Sequence, residues 1–214
     1  NVETSKEIPI TVTNVVTKLY STLKNINAKY VYALGDTNST LGAALATYYS
    51  ENVFIHDEAG MRSFELNMLE ELNRRVADII ADIHFVPTKL ALYNLRIDGV
   101  GKKHAYLVGS TAVDALIKVL DVSNKVEDEV LSKYNVEREN FIIMTLHRRE
   151  NLKRGVLIKV VEMLSKAIHV LKPLDINLFF PSHPHTRLKL YEYGLLNHLE
   201  KQQSLTITKP LGYI

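Results

Sequence analysis

Apolar residues along the chain change repeatedly between helical spacing and short continuous runs. Residues 11–26 carry apolar side chains at helical spacing, and residues 29–34 then form a compact apolar run. The same alternation predicts further helices at 39–50, 69–83, 88–98, 112–120, 126–134, 152–171 and 186–195. It predicts further strands at 53–56, 84–86, 106–108, 141–145, 177–180 and near Leu205. Strands and helices that alternate through short connections predict an α/β fold, in which helices flank parallel sheets.

The helix predicted at 69–83 carries one continuous apolar face. The residues of this face are Leu69, Leu72, Val76, Ile79, Ile80 and Ile83. An apolar stripe of this kind is typical of a helix that packs against a core.

The periodic pattern pauses in polar residues between Val108 and Ser123. We place a boundary there and expect two domains, residues 1–110 and residues 111–214. The chain begins with Asn1 rather than Met, and residues 209–214 lead on from the last predicted strand. We therefore expect that both ends are cut from a longer protein.

Composition excludes several classes of protein. The formal net charge is +2 and no dense run of Lys or Arg occurs, so the charge does not favour a nucleic-acid partner. The absence of Cys excludes disulfides, cysteine nucleophiles and Cys-ligated zinc, and it is compatible with a reducing cytoplasm. No apolar run approaches the ~20 residues of a membrane span, and the N-terminus lacks the apolar segment of a signal peptide. We expect a soluble, cytoplasmic protein that binds neither nucleic acid nor membrane.

Ionisable or hydroxyl-bearing residues follow most of the predicted strands. In doubly wound sheets, ligands bind outside the carboxyl ends of the strands. The segments at these ends are Gly35-Asp36-Thr37, His56-Asp57-Glu58, Gly109-Ser110-Thr111, residues 147–151 and Ser182-His183-Pro184. Their recurrence predicts a ligand site along this edge.

Three carboxylates, those of Asp36, Glu58 and Glu70, fall on the predicted rim of this site. Each has a structural alternative: Asp36 as a helix cap, Glu58 as a partner of Arg62, and Glu70 as a first-turn acid that stabilises the helix dipole. Clustered carboxylates shift one another's pKa values apart, which produces separate acid and base roles. Because all three share one rim, we favour proton-transfer chemistry and therefore an enzyme.

His147, Arg148 and Arg149 lie between the strand predicted at 141–145 and the start of a long helix. An imidazole and two guanidinium groups at a helix N-terminus are suited to phosphate or diphosphate. The alternative is that both arginines pair with Glu150 on the surface. His183 is a second candidate contact for an anion or hydroxyl group, although an isolated histidine at such a place is more often structural.

Motifs for common cofactors and metals are incomplete. Gly99-Val100-Gly101 is not followed by a helix start at dinucleotide-binding spacing. His183 and His185 have no third ligand in register, so we expect no metal site. Residues 35–40 lack the Gly-Lys-Ser/Thr ending of a P-loop.

The motifs at the strand ends, taken in order, resemble those of the non-hydrolysing UDP-N-acetylglucosamine 2-epimerases. The matching segments extend over nearly all of the chain and are Gly35-Asp36-Thr37, residues 56–62, Glu70-Glu71 with Asn73-Arg74, residues 85–88, Asn94-Leu95, residues 109–111 with 114–116, residues 145–151, residues 181–187 and residues 210–213. Hydrolysing relatives carry a glycine-rich segment in place of residues 58–62, so the resemblance is to the non-hydrolysing branch.

The resemblance implies two Rossmann-like domains of the glycosyltransferase-B type around a central cleft. The implied reaction interconverts UDP-GlcNAc and UDP-ManNAc without a cofactor, by elimination of UDP across C1–C2 and its re-addition with inversion at C2. Asp36, Glu58 and Glu70 would be acid/base carboxylates, and His147 would contact the diphosphate. The other candidate substrate-binding residues are Arg62, Arg148, Glu150, His183, Arg187 and Leu211. A homodimer and a role in making polysaccharide precursors are also implied.

The chain departs from this family pattern at Asp57, where a valine is usual, and at Leu69, where a proline is usual. It also lacks glycine-rich segments that contact the nucleotide near both ends of family members. One alternative is therefore a non-catalytic fragment or dimerisation module. A UDP-sugar glycosyltransferase of the same architecture is a further alternative, less favoured because donor transfer requires fewer carboxylates.

Overall fold

The computed structural model describes residues 8–100 and 104–212, and the chain divides into two compact units, Asn1–Ala115 and Leu116–Ile214. Each unit contains one parallel sheet with its own hydrophobic core. None of the helices in the described ranges has both the length and the apolar character needed to cross a membrane.

The first unit alternates helices with the strands of a four-stranded parallel sheet. Its elements are α1 (Ile8–Asn25), β1 (Tyr30–Leu34), α2 (Asn38–Ser50), β2 (Val53–Asp57), α3 (Leu69–Ile80), β3 (Ile83–Val86), α4 (Lys89–Ile97) and β4 (Ala105–Leu107). The strand order is β1-β2-β3-β4, so each strand pairs with its neighbour in sequence. The fully buried apolar residues of its core include Ala44, Phe54, Ala77, Val86 and Leu95.

The second unit is built on a three-stranded parallel sheet of order β5-β6-β7. Its elements, together with the helix that contains the division, are α5 (Thr111–Tyr134), β5 (Phe141–Ile143), α6 (Arg154–Leu171), β6 (Asn177–Pro181), α7 (Pro184–Glu192), α8 (Leu196–Glu200) and β7 (Leu205–Thr208). Short 3₁₀ turns at Arg149–Leu152 and Lys172–Leu174 flank α6. The most buried apolar residues of the core are Leu157, Phe180, Leu190 and Leu199.

The predicted α/β fold with two parallel sheets is confirmed, while several individual elements differ. The helices predicted at 112–120 and 126–134 are one continuous helix, α5. The polar residues between them include neither Gly nor Pro, so no residue type there interrupts a helix. Sequence analysis did not predict α8, because five residues are too short for a periodic signal. The strand predicted at 141–145 contains three residues in the structure.

The expectation that the apolar face of α3 packs against the core is largely wrong. Leu72 is 52% exposed and Ile79 is 68% exposed, while the charged residues Arg74 and Asp78 are buried. The physical reason is that α3 turns its polar face toward the loops that follow β1 and β2, where the charged side chains find partners. Those partners define the candidate site.

Candidate functional site

Arg74, on the buried face of α3, joins two of the three predicted carboxylates. Its Nη2 donates to a carboxylate oxygen of Asp36, which follows β1. Its Nη1 donates to the backbone carbonyl of Glu58 at 2.7 Å and lies 3.8 Å from a carboxylate oxygen of the same residue. The neighbouring Asn73 donates its amide to the Asp36 carbonyl at 3.0 Å. The structure therefore brings Asp36 and Glu58 together around one guanidinium group.

The third predicted carboxylate, Glu70, lies in the first turn of α3 and is exposed. It precedes Asn73 and Arg74 by three and four positions, so all three residues lie on one side of the helix. Its neighbour Glu71 has a different environment. Glu71 is buried and accepts hydrogen bonds from the Ser63 amide at 2.7 Å and from Arg75 at 2.7 Å. Burial alone would raise the pKa of Glu71, but these hydrogen bonds outweigh it and hold the pKa below its ordinary value.

Glu58 has a backbone conformation that residues other than glycine seldom adopt. Its φ is +61°, in the left-handed region, where the side chain crowds its own backbone. Such conformations persist where surrounding contacts hold them, and they are frequent at functional sites. Besides the Arg74 contact, the amide of the next residue, Ala59, donates to the Phe85 carbonyl at 3.1 Å. The segment after β2 that carries Glu58 is therefore bound both by Arg74 of α3 and by the backbone of β3.

A buried ionic network lies beneath this pair of loops. Asp78, on α3, accepts hydrogen bonds from His56 Nδ1 at 2.7 Å and from the Gly60 amide at 3.1 Å, and its other contact is Arg62 at 2.6 Å. The other ring nitrogen of His56 lies 2.8 Å from the Gly35 carbonyl, which can only accept. Both ring nitrogens of His56 therefore lie within hydrogen-bond distance of an oxygen atom. Through His56, Asp78 is thereby linked to Gly35, directly before Asp36, and it also binds Gly60, two residues after Glu58.

The charges around Asp78 control its ionisation. Burial alone would raise the pKa of this carboxyl group. The hydrogen bond from His56 and the charges of His56 and Arg62 outweigh burial and hold the pKa below its ordinary value. The carboxylate is therefore ionised at neutral pH even though its side chain is fully buried.

Arg62, a predicted substrate-binding residue, belongs to this network. Its side chain is 1% exposed, and it contacts Asp98 at 2.9 Å as well as Asp78. It also donates to the Met61 carbonyl at 2.8 Å. The structure thus assigns these contacts of Arg62 to the support of the loop, and its contact with substrate stays a prediction.

Gly60 ends the loop that carries Glu58 and lies against α4. Its φ is +77°, and a Cβ atom built on it would collide with the Ala91 carbonyl. Its own carbonyl accepts a hydrogen bond from the Asn94 amide at 2.9 Å. A glycine is therefore required here both by backbone conformation and by the close approach of α4.

In the second unit, a separate cavity of about 190 Å³ opens at the carboxyl ends of all three strands. The residues that line it are Thr145, Leu146, His147, Pro181, His183, Pro210 and Leu211. Three predicted site residues, His147, His183 and Leu211, therefore line the same cavity. They follow β5, β6 and β7 respectively. The parallel arrangement of the strands accounts for this convergence, since it brings their carboxyl ends to one edge.

His183 also caps helix α7. Its Nδ1 accepts a hydrogen bond from the His185 amide at 3.2 Å, so Nδ1 carries no proton in this arrangement. The proton is then on Nε2, which leaves one ring donor for a ligand. The buried Thr186 on the same helix donates its hydroxyl to the Leu146 carbonyl and fixes α7 against the segment before His147.

Two further predicted residues of the second unit, Arg148 and Arg187, are not among the described residues that line this cavity. Arg187 pairs with Glu200 at 2.8 Å. Arg148 is exposed and immediately precedes the 3₁₀ turn at Arg149–Leu152. The side chain of Glu150 lies outside the described part of the structure. Their roles in binding stay predictions. Among residues 8–100 and 104–212, no group of three or more His, Asp or Glu side chains could hold a metal ion.

Sequence analysis did not predict Arg74 as a site residue, although it lies in a matching motif. The available signal was the polar face of α3, on which Asn73, Arg74, Ala77 and Asp78 are buried. The apolar residues on the opposite face obscured it, because an apolar stripe ordinarily marks the buried side.

Comparison with solved structures identifies the fold of this chain as that of the glycosyltransferase-B type epimerases. The chain belongs to the UDP-N-acetylglucosamine 2-epimerase family, whose sequence model matches residues 1–214. The resemblance found in the sequence is thereby confirmed.

Individual relatives agree with this membership. The chain is 38% identical over 188 residues to a UDP-N-acetylglucosamine 2-epimerase of Methanococcus maripaludis, covering 86% of this chain and 50% of the relative. It is 33% identical over 195 residues to a UDP-2,3-diacetamido-2,3-dideoxy-D-glucuronate 2-epimerase of Pseudomonas aeruginosa, and the match covers 86% of this chain and 48% of the relative. The crystal structure of the Methanocaldococcus jannaschii UDP-GlcNAc 2-epimerase in complex with UDP-GlcNAc and UDP matches with a TM-score of 0.88 and 31% identity, over 98% of this chain and 57% of that chain. The chain spans about half the length of the curated relatives it matches.

Proposed function

We propose that the protein containing this chain interconverts UDP-GlcNAc and UDP-ManNAc by elimination and re-addition of UDP, with inversion at C2. The observation that carries the proposal is the placement of Asp36 and Glu58 around Arg74 at the ends of adjacent parallel strands. Two carboxylates at one strand edge are the groups that proton transfer at a sugar carbon requires. The names of the relatives support the same reaction class.

Inversion at C2 requires that a proton leaves one face of the sugar and returns to the other. In the elimination step, a carboxylate removes the C2 proton, the C–H electrons form the C1=C2 bond, and the C1–O bond to UDP breaks. In the return step, UDP attacks C1 while a carboxylic acid on the opposite face protonates C2. Asp36, Glu58 and Glu70 would supply these acid and base groups. Two distinct carboxylates are needed, because one group cannot reach both faces of the ring.

The cavity in the second unit would hold the nucleotide part of the substrate. His147 would contact the diphosphate and assist its departure, since a leaving dianion is stabilised by nearby cations and N–H donors. The Nε2 donor of His183 is suited to a phosphate oxygen. The backbone near Leu211 would approach the uracil. Arg62, Arg148, Glu150 and Arg187 complete the proposed set of substrate contacts.

Solvent isotope incorporation tests this function. The protein produced from the complete reading frame is incubated with UDP-GlcNAc in D₂O, and the products are analysed by NMR. We expect UDP-ManNAc with deuterium at C2, and deuterium at C2 of recovered UDP-GlcNAc. Epimerisation with retention of the original hydrogen would reject the elimination route, and the absence of any epimerised product would reject the function.

The Pseudomonas aeruginosa relative supports a second candidate substrate, a UDP-sugar that carries a C3 acetamido group and a C6 carboxylate. The chemistry at C2 would be the same, so the two candidates differ only in the groups that the site recognises at C3 and C6. A comparison of kcat/KM for the two nucleotide sugars decides between them.

A non-catalytic fragment and a glycosyltransferase are the remaining alternatives. Calorimetry with UDP on the 214-residue chain tests the first. Micromolar binding would show that this chain alone holds a working nucleotide site. Product formation that depends on an added sugar acceptor would support the glycosyltransferase.

We further expect a cytoplasmic homodimer that supplies precursors of surface polysaccharides, as the resemblance implies. Exposed apolar residues on two neighbouring helices of the first unit, Leu72 and Ile79 on α3 and Leu90, Tyr93 and Ile97 on α4, support a protein contact there. Light scattering during gel filtration measures the oligomeric state. Replacement of Ile79 and Ile97 by Glu should yield monomers.

A further inference from the structure

Asp57, the last residue of β2, is a carboxylate that is only 3% exposed. Buried carboxylates require partners, and each oxygen of Asp57 has one. Oδ1 accepts the backbone amide of Glu58 at 2.8 Å, and Oδ2 accepts the hydroxyl of Tyr32. Asp57 is therefore a bridge between the neighbouring strand β1 and the amide of a proposed catalytic residue.

The strand register explains how Tyr32 reaches this carboxylate. Asp57 lies opposite Leu34 in the parallel pairing of β1 and β2. Tyr32 precedes Leu34 by two positions, so its side chain stands on the same face of the sheet. Burial, then the hydrogen bond and charge of Asp57, and finally the charge of Glu58 raise the pKa of Tyr32 to about 12. The phenol therefore stays protonated at physiological pH and remains a donor to Asp57.

The amide that Asp57 binds belongs to the residue with the strained backbone. Glu58 has a φ of +61°, and its two backbone polar groups are both held by side chains. Asp57 accepts its N–H, and Arg74 donates to its carbonyl. The direction of the Glu58 carboxylate depends on this backbone conformation, because the rotation about φ determines where Cβ points.

We propose that Tyr32 and Asp57 are positioning residues, which fix the left-handed backbone of Glu58 and so aim its carboxylate at C2 of the sugar. This inference rests on the proposed function for its catalytic part. The role of Asp57 is that of an acceptor for the Glu58 amide, and the role of Tyr32 is to orient the Asp57 carboxylate.

Steady-state kinetics on the protein from the complete reading frame test the proposal. Asp57→Ala removes the acceptor and should lower kcat about tenfold with KM within about twofold, since a misdirected base loses part of its contribution. Asp57→Asn keeps an Oδ1 acceptor and should stay within about threefold of wild type. Tyr32→Phe should lower kcat about twofold to threefold. In a double variant, Tyr32→Phe should add nothing to Asp57→Ala, because the two residues act in one chain of contacts.

Asp82 provides a matched control. It accepts the Phe54 amide at 2.8 Å, which is a similar hydrogen bond to the same strand at its other end. Asp82→Ala should leave kcat unchanged, although it removes a similar hydrogen bond. An unchanged kcat in Asp57→Ala, or a loss in Asp57→Asn equal to that in Asp57→Ala, would overturn the proposal.

Amide hydrogen exchange separates this proposal from the proposed function, because it needs no substrate. In ¹⁵N-labelled protein, Asp57→Ala should speed exchange of the Glu58 amide at least about tenfold, and Asp57→Asn should not. Unchanged exchange in Asp57→Ala would overturn the positioning role even in an active epimerase. If Asp57→Ala does not fold, Tyr32→Phe decides: wild-type kcat together with wild-type exchange at Glu58 would overturn the proposal.

Discussion

The two units present their strand-end residues in different ways. In the first unit, Asp36 and Glu58 contact the buried Arg74, and a buried ionic network around Asp78 lies beneath them. In the second unit, His147 and His183 are exposed on the rim of an open cavity, and the nearby ion pair of Arg187 lies at the surface. Proton transfer to carbon depends on sub-ångström placement, whereas binding of a flexible diphosphate tolerates exposed donors. The comparison indicates that the residues proposed to transfer protons are held more firmly than the residues proposed to bind the diphosphate.

The largest effect is expected at Glu58. Glu58→Gln removes the ionisable group but keeps the shape of the side chain, so kcat should fall about 10³-fold while the melting temperature stays within a few degrees. Glu51→Gln is the matched control, because Glu51 has a similar φ of +60° at the end of α2. Coupled kinetic assays and thermal melts measure both. A Glu58→Gln variant with normal kcat would remove Glu58 from the catalytic set.

The next effect is on stability and tests the buried network. Asp78→Asn leaves His56 and Arg62 without their shared buried anion, so the free energy of unfolding should fall by about 3 kcal/mol. Asp98→Asn removes the other, more exposed partner of Arg62 and should cost less than about 1 kcal/mol. Urea denaturation measures both changes. Equal losses in the two variants would contradict the difference between buried and exposed partners.

The same network predicts the pH dependence of stability. The pKa of Asp78 is lower in the folded protein than its ordinary value of 3.8, which describes the unfolded chain. As pH falls, the unfolded state takes up this proton first, so acid favours unfolding. The contribution of Asp78 is complete above about pH 4 and is lost as pH falls through its folded pKa. Denaturation curves down to about pH 3 should show a steeper loss for wild type than for Asp78→Asn.

A smaller effect is expected at His183. His183→Asn keeps a good helix cap but removes the Nε2 donor, so the Kd for UDP should rise about tenfold with little change in melting temperature. His185→Asn, on the same helix but outside the cavity lining, should leave the Kd unchanged. Calorimetry on the protein from the complete reading frame provides both values. Equal Kd values for all three proteins would exclude His183 from the nucleotide site.

The smallest effect concerns Arg187 and its partner Glu200, both of which are partly exposed. Removal of either charge should change the free energy of unfolding by less than about 1 kcal/mol. If Arg187 binds the substrate as the sequence predicts, Arg187→Gln will weaken UDP binding while Glu200→Gln will not. Equal binding by both variants would assign Arg187 to the surface pair alone.

Sequence patterns were sufficient for the order of the strands and for the residues at strand ends. Alternating periodicity located most strands, and His147, His183 and Leu211 meet because parallel strands end at one edge. The orientation of α3 could not be predicted in this way. Its apolar face lies outward, because the charges on its other face are neutralised by residues from two separate loops. Such pairings depend on the register of β1 and β2, which no local pattern contains.

Gly60 sets a limit on how this region can vary. Because Gly60 has no side chain, α4 can contact the backbone at this position, two residues after Glu58. The Asn94 amide donates to the Gly60 carbonyl, and the Gly60 amide donates to the Asp78 carboxylate. Even alanine at this position would push the helix and the loop apart. The short distance between the backbone at position 60 and the backbone of α4 therefore limits which residues this position tolerates. In a library randomised at position 60, almost all active clones should carry glycine.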